Sequence, residues 1–206
     1  MMIRILIISI LATLALTQVD PPVWPEVFKQ AFVESYNSTH LHVSGTFYFD
    51  AKRGTMRLDR HDGIHEAVCG SVLPNVSTSC TQLIRDKKRY IVFPERRTCC
   101  MCCDAAHGCG ILKRDWLATA KYEGEETLSG EPFYKWSIAD GAATDLYYAT
   151  KSTERIPRRL NSAGQQIQDF IMNTFSTDPL PESIFALPSY CNSTCPATTV
   201  CGKFQM

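Results

Sequence analysis

The sequence lacks an excess of charge of either sign. Its 206 residues include 21 Lys plus Arg and 21 Asp plus Glu, so no net electrostatic field attracts it to nucleic acid. It also lacks the blocks of like charge that mark acidic or basic tails. We therefore expect no nucleic-acid partner.

Long apolar runs are missing after the first 16 residues. Residues 5–16 are almost wholly apolar and follow Arg4, a pattern typical of a secretory signal peptide. The run is shorter than the roughly 20 residues of a membrane-spanning helix, and Ala15 and Thr17 suit cleavage before Gln18. We expect a signal peptide at 1–17 and one disulfide-rich domain at 18–206; a retained N-terminal helix is the alternative.

The C-terminal residues contain neither the apolar tail of a GPI signal nor a KDEL-type retention signal. Together with the expected signal peptide, this predicts a secreted, extracellular protein without a membrane span.

Common catalytic and cofactor motifs are absent too. The sequence contains no Gly-x-Ser-x-Gly elbow, phosphate-binding loop or dinucleotide fingerprint. Residues 65–69 begin like a zinc-protease motif, but Cys69 stands where the second histidine is required. We expect no catalytic residue, cofactor or metal, and therefore no enzyme. A dispersed triad, and a metal site at His61 and His65 with Asp62 or Glu66, are the alternatives.

Ten cysteines are present, an even number that predicts up to five disulfides in an oxidising compartment. They are Cys69, Cys80, Cys99, Cys100, Cys102, Cys103, Cys109, Cys191, Cys195 and Cys201. Three glycosylation sequons, at Asn37, Asn75 and Asn192, favour the same compartment.

The cluster at 99–109 is also compatible with zinc or thiol-exchange chemistry, but it lacks a matching second ligand pair and a surrounding α/β pattern. A bond between the adjacent Cys99 and Cys100 would be strained, so we expect these two to have different partners. We expect Cys69 to pair with Cys80. The last three cysteines either bond among themselves or bond back to the cluster.

Hydrophobic periodicity predicts mostly strands. Apolar residues at helical spacing predict one amphipathic helix at 23–36. Alternation then predicts strands at 43–50, 55–60, 82–85, 89–93, 118–123, 133–138, 145–150 and 165–174, with a short helical turn at 112–117. We read no strand in 125–131 or 155–164, which separate these segments.

This pattern predicts a mainly β (α+β) fold: a large antiparallel sheet with an N-terminal helix. A sheet of about eight strands must curve or close, giving a large curved sheet or half-barrel. Its concave side can be filled by its own helix, by side chains or by a ligand.

Three stretches resemble the ependymin-related secreted glycoproteins and, more distantly, the bacterial lipoprotein-carrier fold. They are residues 45–50 with 56–59, residues 86–93, and a series made up of 122–124, 136–138, 146–148, 155–157 and 185–191. The cluster at 99–109 is denser than in ependymins and the 195–201 tail is additional, so disulfide pairing does not carry over.

The resemblance implies a deeply curved antiparallel sheet with helices against its concave side, enclosing a pocket for an acyl chain or other hydrophobic ligand. Calcium association is attached to ependymins, but no EF-hand loop is visible here.

We therefore predict a secreted binding protein that holds a lipid or other hydrophobic small molecule on the concave face. The alternative is an extracellular interaction or matrix glycoprotein with a protein partner and no small ligand. The predicted ligand-lining residues, each of which could equally be ordinary core, are Phe47, Phe49, Met56, Leu58, Ile91, Phe93, Trp136, Ile138, Leu146, Tyr148, Ile171 and Phe175.

Overall fold

The computed structural model describes residues 19–37, 41–141 and 143–204. The predicted signal peptide at 1–17 lies outside these ranges. The strands described are β1 (Val27–Tyr36), β2 (His42–Asp50), β3 (Thr55–Arg60), β4 (Cys80–Arg85), β5 (Lys88–Phe93), β6 (Thr98–Asp104), β7 (Lys121–Leu128), β8 (Glu131–Asp140), β9 (Ala143–Thr150), β10 (Pro157–Ser162) and β11 (Gln166–Phe170). Two short helices are α1 (Ala67–Val72) and α2 (Val200–Phe204).

These strands form one open, curved sheet in the order β6-β5-β4-β3-β2-β1-β11-β10-β9-β8-β7. Neighbours are antiparallel, and all but one pair of neighbours are consecutive along the chain. The exception is the pairing of β1 with β11, which joins two meanders into a single sheet. The prediction of a mainly β fold with a large curved antiparallel sheet is confirmed.

The prediction of an N-terminal helix at 23–36 is wrong. Most of this segment is strand β1, which pairs with β2 on one side and β11 on the other. Aromatic residues four positions apart, such as Phe28 and Phe32, fit a helix and a strand equally well. The polar residues Gln30 and Glu34 concealed the two-residue alternation, because both are fully buried in the structure.

We call the face of the sheet that carries Phe28, Phe47 and Trp136 the inner face, and the opposite one the outer face. Cross-strand register places Phe28 beside Phe49, and Gln30 beside Phe47. Gly45 lies opposite Phe32, and a Cβ atom there would collide with the Phe32 ring and the Asp59 carbonyl. Glycine at this position therefore lets a large aromatic ring lie flat over strand β2.

The two predicted hairpins are present as β2–β3 and β4–β5. Two strands were missed: β6, inside the cysteine cluster, and β10, inside the stretch predicted to be a connection. Strand β7 also continues to Leu128, beyond its predicted end. Around Trp116 the chain makes consecutive hydrogen-bonded turns, which match the predicted short helical turn only loosely.

Five disulfides connect the ten cysteines: Cys69–Cys80, Cys99–Cys191, Cys100–Cys195, Cys102–Cys201 and Cys103–Cys109. The predicted local pair is confirmed, as are the different partners of the adjacent cysteines. Of the two alternatives for the C-terminal cysteines, bonding back to the cluster is observed. Three bridges thus attach the C-terminal tail to strand β6, and this set of bonds fits an extracellular or periplasmic compartment.

The tail also covers part of the outer face. Leu180 and Phe185 pack on Leu83 of strand β4, while α1 and α2 lie with the disulfides against the inner face near β6. Within the part of the chain that the structure describes, every helix is too short or insufficiently apolar to cross a membrane.

Candidate functional site

The inner face carries a continuous cluster of large apolar side chains that spans both meanders. Trp136 and Tyr147 come from strands β8 and β9, whereas Phe28, Phe47 and Phe49 come from β1 and β2. All five of these side chains are at most 4% exposed. These side chains come from four strands, and adjacent strands are about 4.8 Å apart. The aromatic cluster is therefore an extended apolar surface rather than a small local core.

The structure brings seven of the twelve predicted lining residues together in this cluster. Four of them are buried members, and three pack at its margin; these are Phe47, Phe49, Met56 and Trp136, then Leu58, Ile138 and Phe175.

The other five lie elsewhere. Ile91 and Phe93 belong to the cluster around the disulfides. Leu146 and Tyr148 pack with Leu128 and Phe133 in a separate cluster, because Tyr147 takes the inner face and its neighbours along a strand must point outward. Ile171 is 40% exposed.

Two segments without regular strands cover the aromatic cluster. We call residues 19–25 and 111–120 the covering segments. The Trp24 amide donates to the Arg114 carbonyl (2.9 Å), and the Arg114 guanidinium donates back to the Trp24 carbonyl (2.7 Å). The Trp24 ring lies 5.2–5.6 Å from four aromatic rings, those of Phe28, Phe47, Phe49 and Trp116.

Among the described residues, two hydrogen bonds join the covering segments to strands of the sheet. The Trp24 Nε1 donates to the Tyr147 hydroxyl at 3.0 Å, and the Trp136 Nε1 donates to the Val19 carbonyl at 3.3 Å. Burial raises the pKa of Tyr147, while the hydrogen bond from Trp24 partly opposes this rise. The phenol is therefore neutral at physiological pH.

A groove of about 430 Å³ opens beside the first covering segment. Pro25 and Phe175 form part of its lining. The Phe175 ring lies 5.8 Å from Phe28 in the aromatic cluster. The groove therefore connects the solvent with the edge of the covered aromatic surface.

Buried ionic groups extend the inner face beyond the aromatic cluster. Glu34 accepts two hydrogen bonds from Arg60, at 2.7 and 2.8 Å, and one from the Tyr36 hydroxyl at 2.8 Å. The Gln168 amide of β11 also donates to Glu34, at 3.3 Å. Burial opposes the charge of Arg60, but the ion pair with Glu34 prevails and raises the pKa of Arg60.

Three buried polar atoms of the inner face and one of the second covering segment have no hydrogen-bond partner among the described residues. They are Gln30 Oε1, Arg60 Nη1, Arg89 Nε and Trp116 Nε1. Buried polar atoms are normally paired, so the three unpaired ones on the inner face and the one packed over it set this surface apart from an ordinary apolar core. Thr55 Oγ1 is a fifth buried atom without a partner. It lies on the outer face, because the next residue, Met56, faces inward.

Several of the possible metal ligands are engaged in other bonds. The sulfur atoms of Cys102, Cys103 and Cys109 lie within 4.8 Å of one another, but all three belong to disulfides and provide no thiolate. The His61 Nδ1 lies 3.1 Å from Ser44 Oγ. The Glu66 carboxylate accepts from two backbone amides at the start of α1.

The asparagines of the three predicted glycosylation sites, Asn37, Asn75 and Asn192, are exposed. Glycosylation itself stays a prediction.

Sequence reasoning missed several inner-face residues. Trp24, Phe28, Phe32 and Gln30 were assigned to a helix or its flank, and Arg60 and Arg89 were treated as ordinary strand or turn residues. Alternation of residues 28, 30, 32, 34 and 36 was the signal that could have identified the first group. No local pattern marks an arginine whose side chain points into a buried face.

No protein-family model and no curated protein matches the chain. An uncharacterized conserved protein from Thermus thermophilus is similar in structure, with a TM-score of 0.53 and 10% identity over 82% of this chain and 88% of its own. The Pseudomonas aeruginosa MucA/MucB complex gives a TM-score of 0.41 and 14% identity over 83% and 59%. A DUF1329 family protein from Desulfovibrio piger gives 0.36 and 11% over 78% and 89%.

The last two likenesses are too distant to support an inference about this chain. The first shows the fold alone, which the chain shares with the Thermus protein.

Proposed function

We propose that this chain is a secreted binding protein that holds a hydrophobic ligand against the inner face of the sheet and releases it unchanged. The observation that carries the proposal is the combination of an extended aromatic surface with unpaired buried polar atoms at Gln30, Arg60, Arg89 and Trp116. A surface of this composition suits an amphipathic molecule. The resemblance to ependymin-related proteins and their hydrophobic pocket is part of the same proposal.

Ligand entry requires the covering segments to move. The 19–25 segment has no strand pairing, and the groove at Pro25 and Phe175 adjoins it. A ligand that enters there would take the place of Trp24 against Phe28 and Phe49. The aromatic cluster would then be covered by the ligand instead of by the chain's own tryptophan.

Apolar contact alone would give weak binding. Burying a chain of about 16 carbons contributes roughly 12 kcal/mol, at about 0.8 kcal/mol per CH2. Displacing the Trp24 side chain costs about 3 kcal/mol, and association costs at least about 4 kcal/mol. The remaining 5 kcal/mol or so corresponds to a Kd on the order of 0.1 mM. Tighter binding needs polar contacts.

The second candidate is an extracellular interaction protein whose sheet is filled by its own side chains. The packing of Trp24 and Trp116 over the inner face favours it. So do Val23 and Leu112, which are 59% and 37% exposed on the covering segments and would suit an apolar protein partner.

Titration with the neutral apolar dye N-phenyl-1-naphthylamine separates the two candidates. The carrier proposal expects saturable uptake at one dye per chain. Trp24→Leu, which replaces the competing ring, should bind the dye more tightly than the wild-type protein. Phe47→Leu is the matched control in the wall of the site, and it should not bind more tightly.

The absence of saturable uptake by both the wild-type protein and Trp24→Leu would overturn the carrier proposal and favour the interaction protein. Circular dichroism of each variant shows whether the sheet is intact.

A further inference from the structure

Two arginines lie on the inner face where the aromatic cluster meets the cluster around the disulfides. Arg60 on β3 is opposite Cys80, and Arg89 on β5 is opposite Ile84. Ile84 belongs to the aromatic cluster, and Cys80 belongs to the disulfide cluster. The arginines therefore mark one end of the proposed ligand surface.

Arg60 connects directly with the aromatic surface. Its guanidinium carbon lies 5.9 Å from the centre of the Phe32 ring. The side chain is only 4% exposed. Two of its nitrogens, Nε and Nη2, donate to Glu34, and its third nitrogen, Nη1, is buried without a partner. This guanidinium is thus committed to the fold through Glu34, which neutralises its charge.

Unlike Arg60, Arg89 forms no ion pair with a carboxylate among the described residues. Its Nε is buried and unpaired. Burial lowers the pKa of Arg89; the charge of Glu66 opposes this effect and the charge of Arg60 adds to it. Glu66 itself is engaged at the start of α1, where it accepts from Val68 and Cys69. A partly buried cation without a direct counter-ion is expensive unless an anion pairs with it.

We propose that Arg89 Nε, at the end of the cross-strand row Phe28–Phe49–Met56–Ile84, binds the carboxylate of a long-chain fatty acid whose hydrocarbon chain lies along the aromatic cluster. This inference rests on the proposed function and adds the chemical class of the ligand. The unpaired Nε of Arg89 is a guanidinium donor, and a carboxylate is the acceptor that best matches it. Glu34 already neutralises Arg60, so Arg89 supplies the unpaired charge.

The position of the arginines also explains how polar contacts would supplement apolar burial. The head group would lie on the β3–β5 side, where the disulfides hold the strands in place. The chain would extend along Phe49 and Phe28 of the same meander toward Trp136 on the other meander. A ligand in this orientation satisfies both the donor and the apolar surface.

The test compares hexadecanoate with hexadecan-1-ol, which have equal chain length and differ in the head group. Binding is measured by displacement of N-phenyl-1-naphthylamine from the wild-type protein. We expect the acid to bind roughly 10- to 100-fold more tightly than the alcohol, which is the range for a hydrogen bond to a charged group.

Arg89→Met should abolish this preference, so that the acid and the alcohol bind equally well to the variant. Methionine keeps the apolar volume and removes a cation that lacks a counter-ion, so the variant is expected to fold. Lys88→Met is the matched control: it removes the same charge from the neighbouring residue, which is exposed on the opposite face of β5, and it should keep the preference.

The outcomes distinguish the two levels of the proposal. Failure of both compounds to bind would overturn the proposed function and this inference with it. Equal binding of acid and alcohol by the wild-type protein would overturn the head-group site alone, and this comparison needs no variant. Retention of the full preference in Arg89→Met would overturn the role of Arg89.

Discussion

Strands β4–β6 and the segments attached to them contain all ten cysteines, whereas strands β7–β11 contain none. In the first region, disulfides join β6 to the tail and β4 to α1. In the second, Trp136, Tyr147 and Phe170 supply buried aromatic surface, and ion pairs such as Arg159–Asp169 lie on the outer face. One continuous sheet is thus stabilised covalently on one side and by packing on the other.

The two edge strands show the same difference. The edge of β6 is covered by the tail, because Met101 forms a parallel bridge with Thr194. The edge of β7 instead carries charged side chains at Lys121, Glu123, Glu125 and Glu126. Both arrangements protect an edge from pairing with another chain. The tail is attached covalently to its edge, whereas the charged edge has no disulfide.

The largest expected effect comes from removing the three bridges between β6 and the tail. Replacing Cys99, Cys100, Cys102 and their partners with serine opens loops of 92–99 residues. A single loop of this size is worth about 4.7 kcal/mol, so we expect a loss well above about 5 kcal/mol, comparable with the net stability of a domain. Urea unfolding measures it.

Removing Cys102–Cys201 alone is the control. The two remaining bridges keep the long loop closed, so this bond closes only a short ring worth roughly 2–3 kcal/mol. If the triple removal costs no more than this single one, the covalent account of this region is wrong.

Trp136→Ala tests the region without disulfides. The side chain is fully buried, and its loss should cost about 4 kcal/mol through lost burial and a residual cavity. Ile91→Ala, fully buried beside the disulfides, is the matched variant. Hydrogen exchange should accelerate across β7–β9 in the first variant more than across β4–β6 in the second. Equal acceleration of hydrogen exchange in the two variants would show that the disulfides do not make β4–β6 more resistant to local opening than β7–β9.

Glu34→Gln tests the junction between the regions, because Glu34 on β1 contacts Arg60 on β3 and Gln168 on β11. The substitution leaves the buried guanidinium of Arg60 without its counter-charge, and we expect a loss of about 3 kcal/mol in thermal or urea unfolding. The double variant Glu34→Leu with Arg60→Met should regain much of it. A stable single variant would contradict the assigned role of this pair.

The smallest effect concerns pH and the outer face of β7–β9. The hydrogen bond from Lys135 lowers the pKa of Glu126 below its ordinary value of 4.5, although burial opposes this shift. Its stabilisation is therefore present above about pH 4.5 and is lost as pH falls through the lower folded-state pKa. Glu126 is 40% exposed, so the contribution stays below about 1 kcal/mol.

Glu126→Gln should accordingly lower the urea midpoint near neutral pH and have no effect near about pH 2. Lys135→Met should give the same loss, and the double variant should add little to it. An effect of Glu126→Gln that does not change with pH would assign its cause to packing rather than to charge.

Local patterns predicted much of the sheet from the sequence. Strands β2 and β3 follow directly from the alternation of residues such as Phe47, Phe49 and Met56. The Cys69–Cys80 bond follows from proximity in the chain. Strand β6 was missed because cysteines on both of its faces are buried, which removes the two-residue alternation. Strand β10 was missed because Arg158 and Arg159 suggested an exposed connection, whereas both pair with Asp169.

The candidate site was less predictable because its geometry depends on distant segments. The seven aromatic-cluster residues identified in advance lie on strands with clear alternation. Trp24 and Trp116 come from the covering segments, whose positions are set by tertiary contacts rather than local pattern. Leu146 and Tyr148 were predicted to line the ligand surface but lie on the outer face, because the orientation of β9 is fixed only by its pairing with β8.

The most direct test of the account is native mass spectrometry of the deglycosylated protein purified from cells that export it, followed by organic extraction. The account predicts one hydrophobic molecule with an acidic head group per chain, on the wild-type protein and not on Arg89→Met. A protein that carries no such molecule, and takes up none when incubated with hexadecanoate, would contradict it.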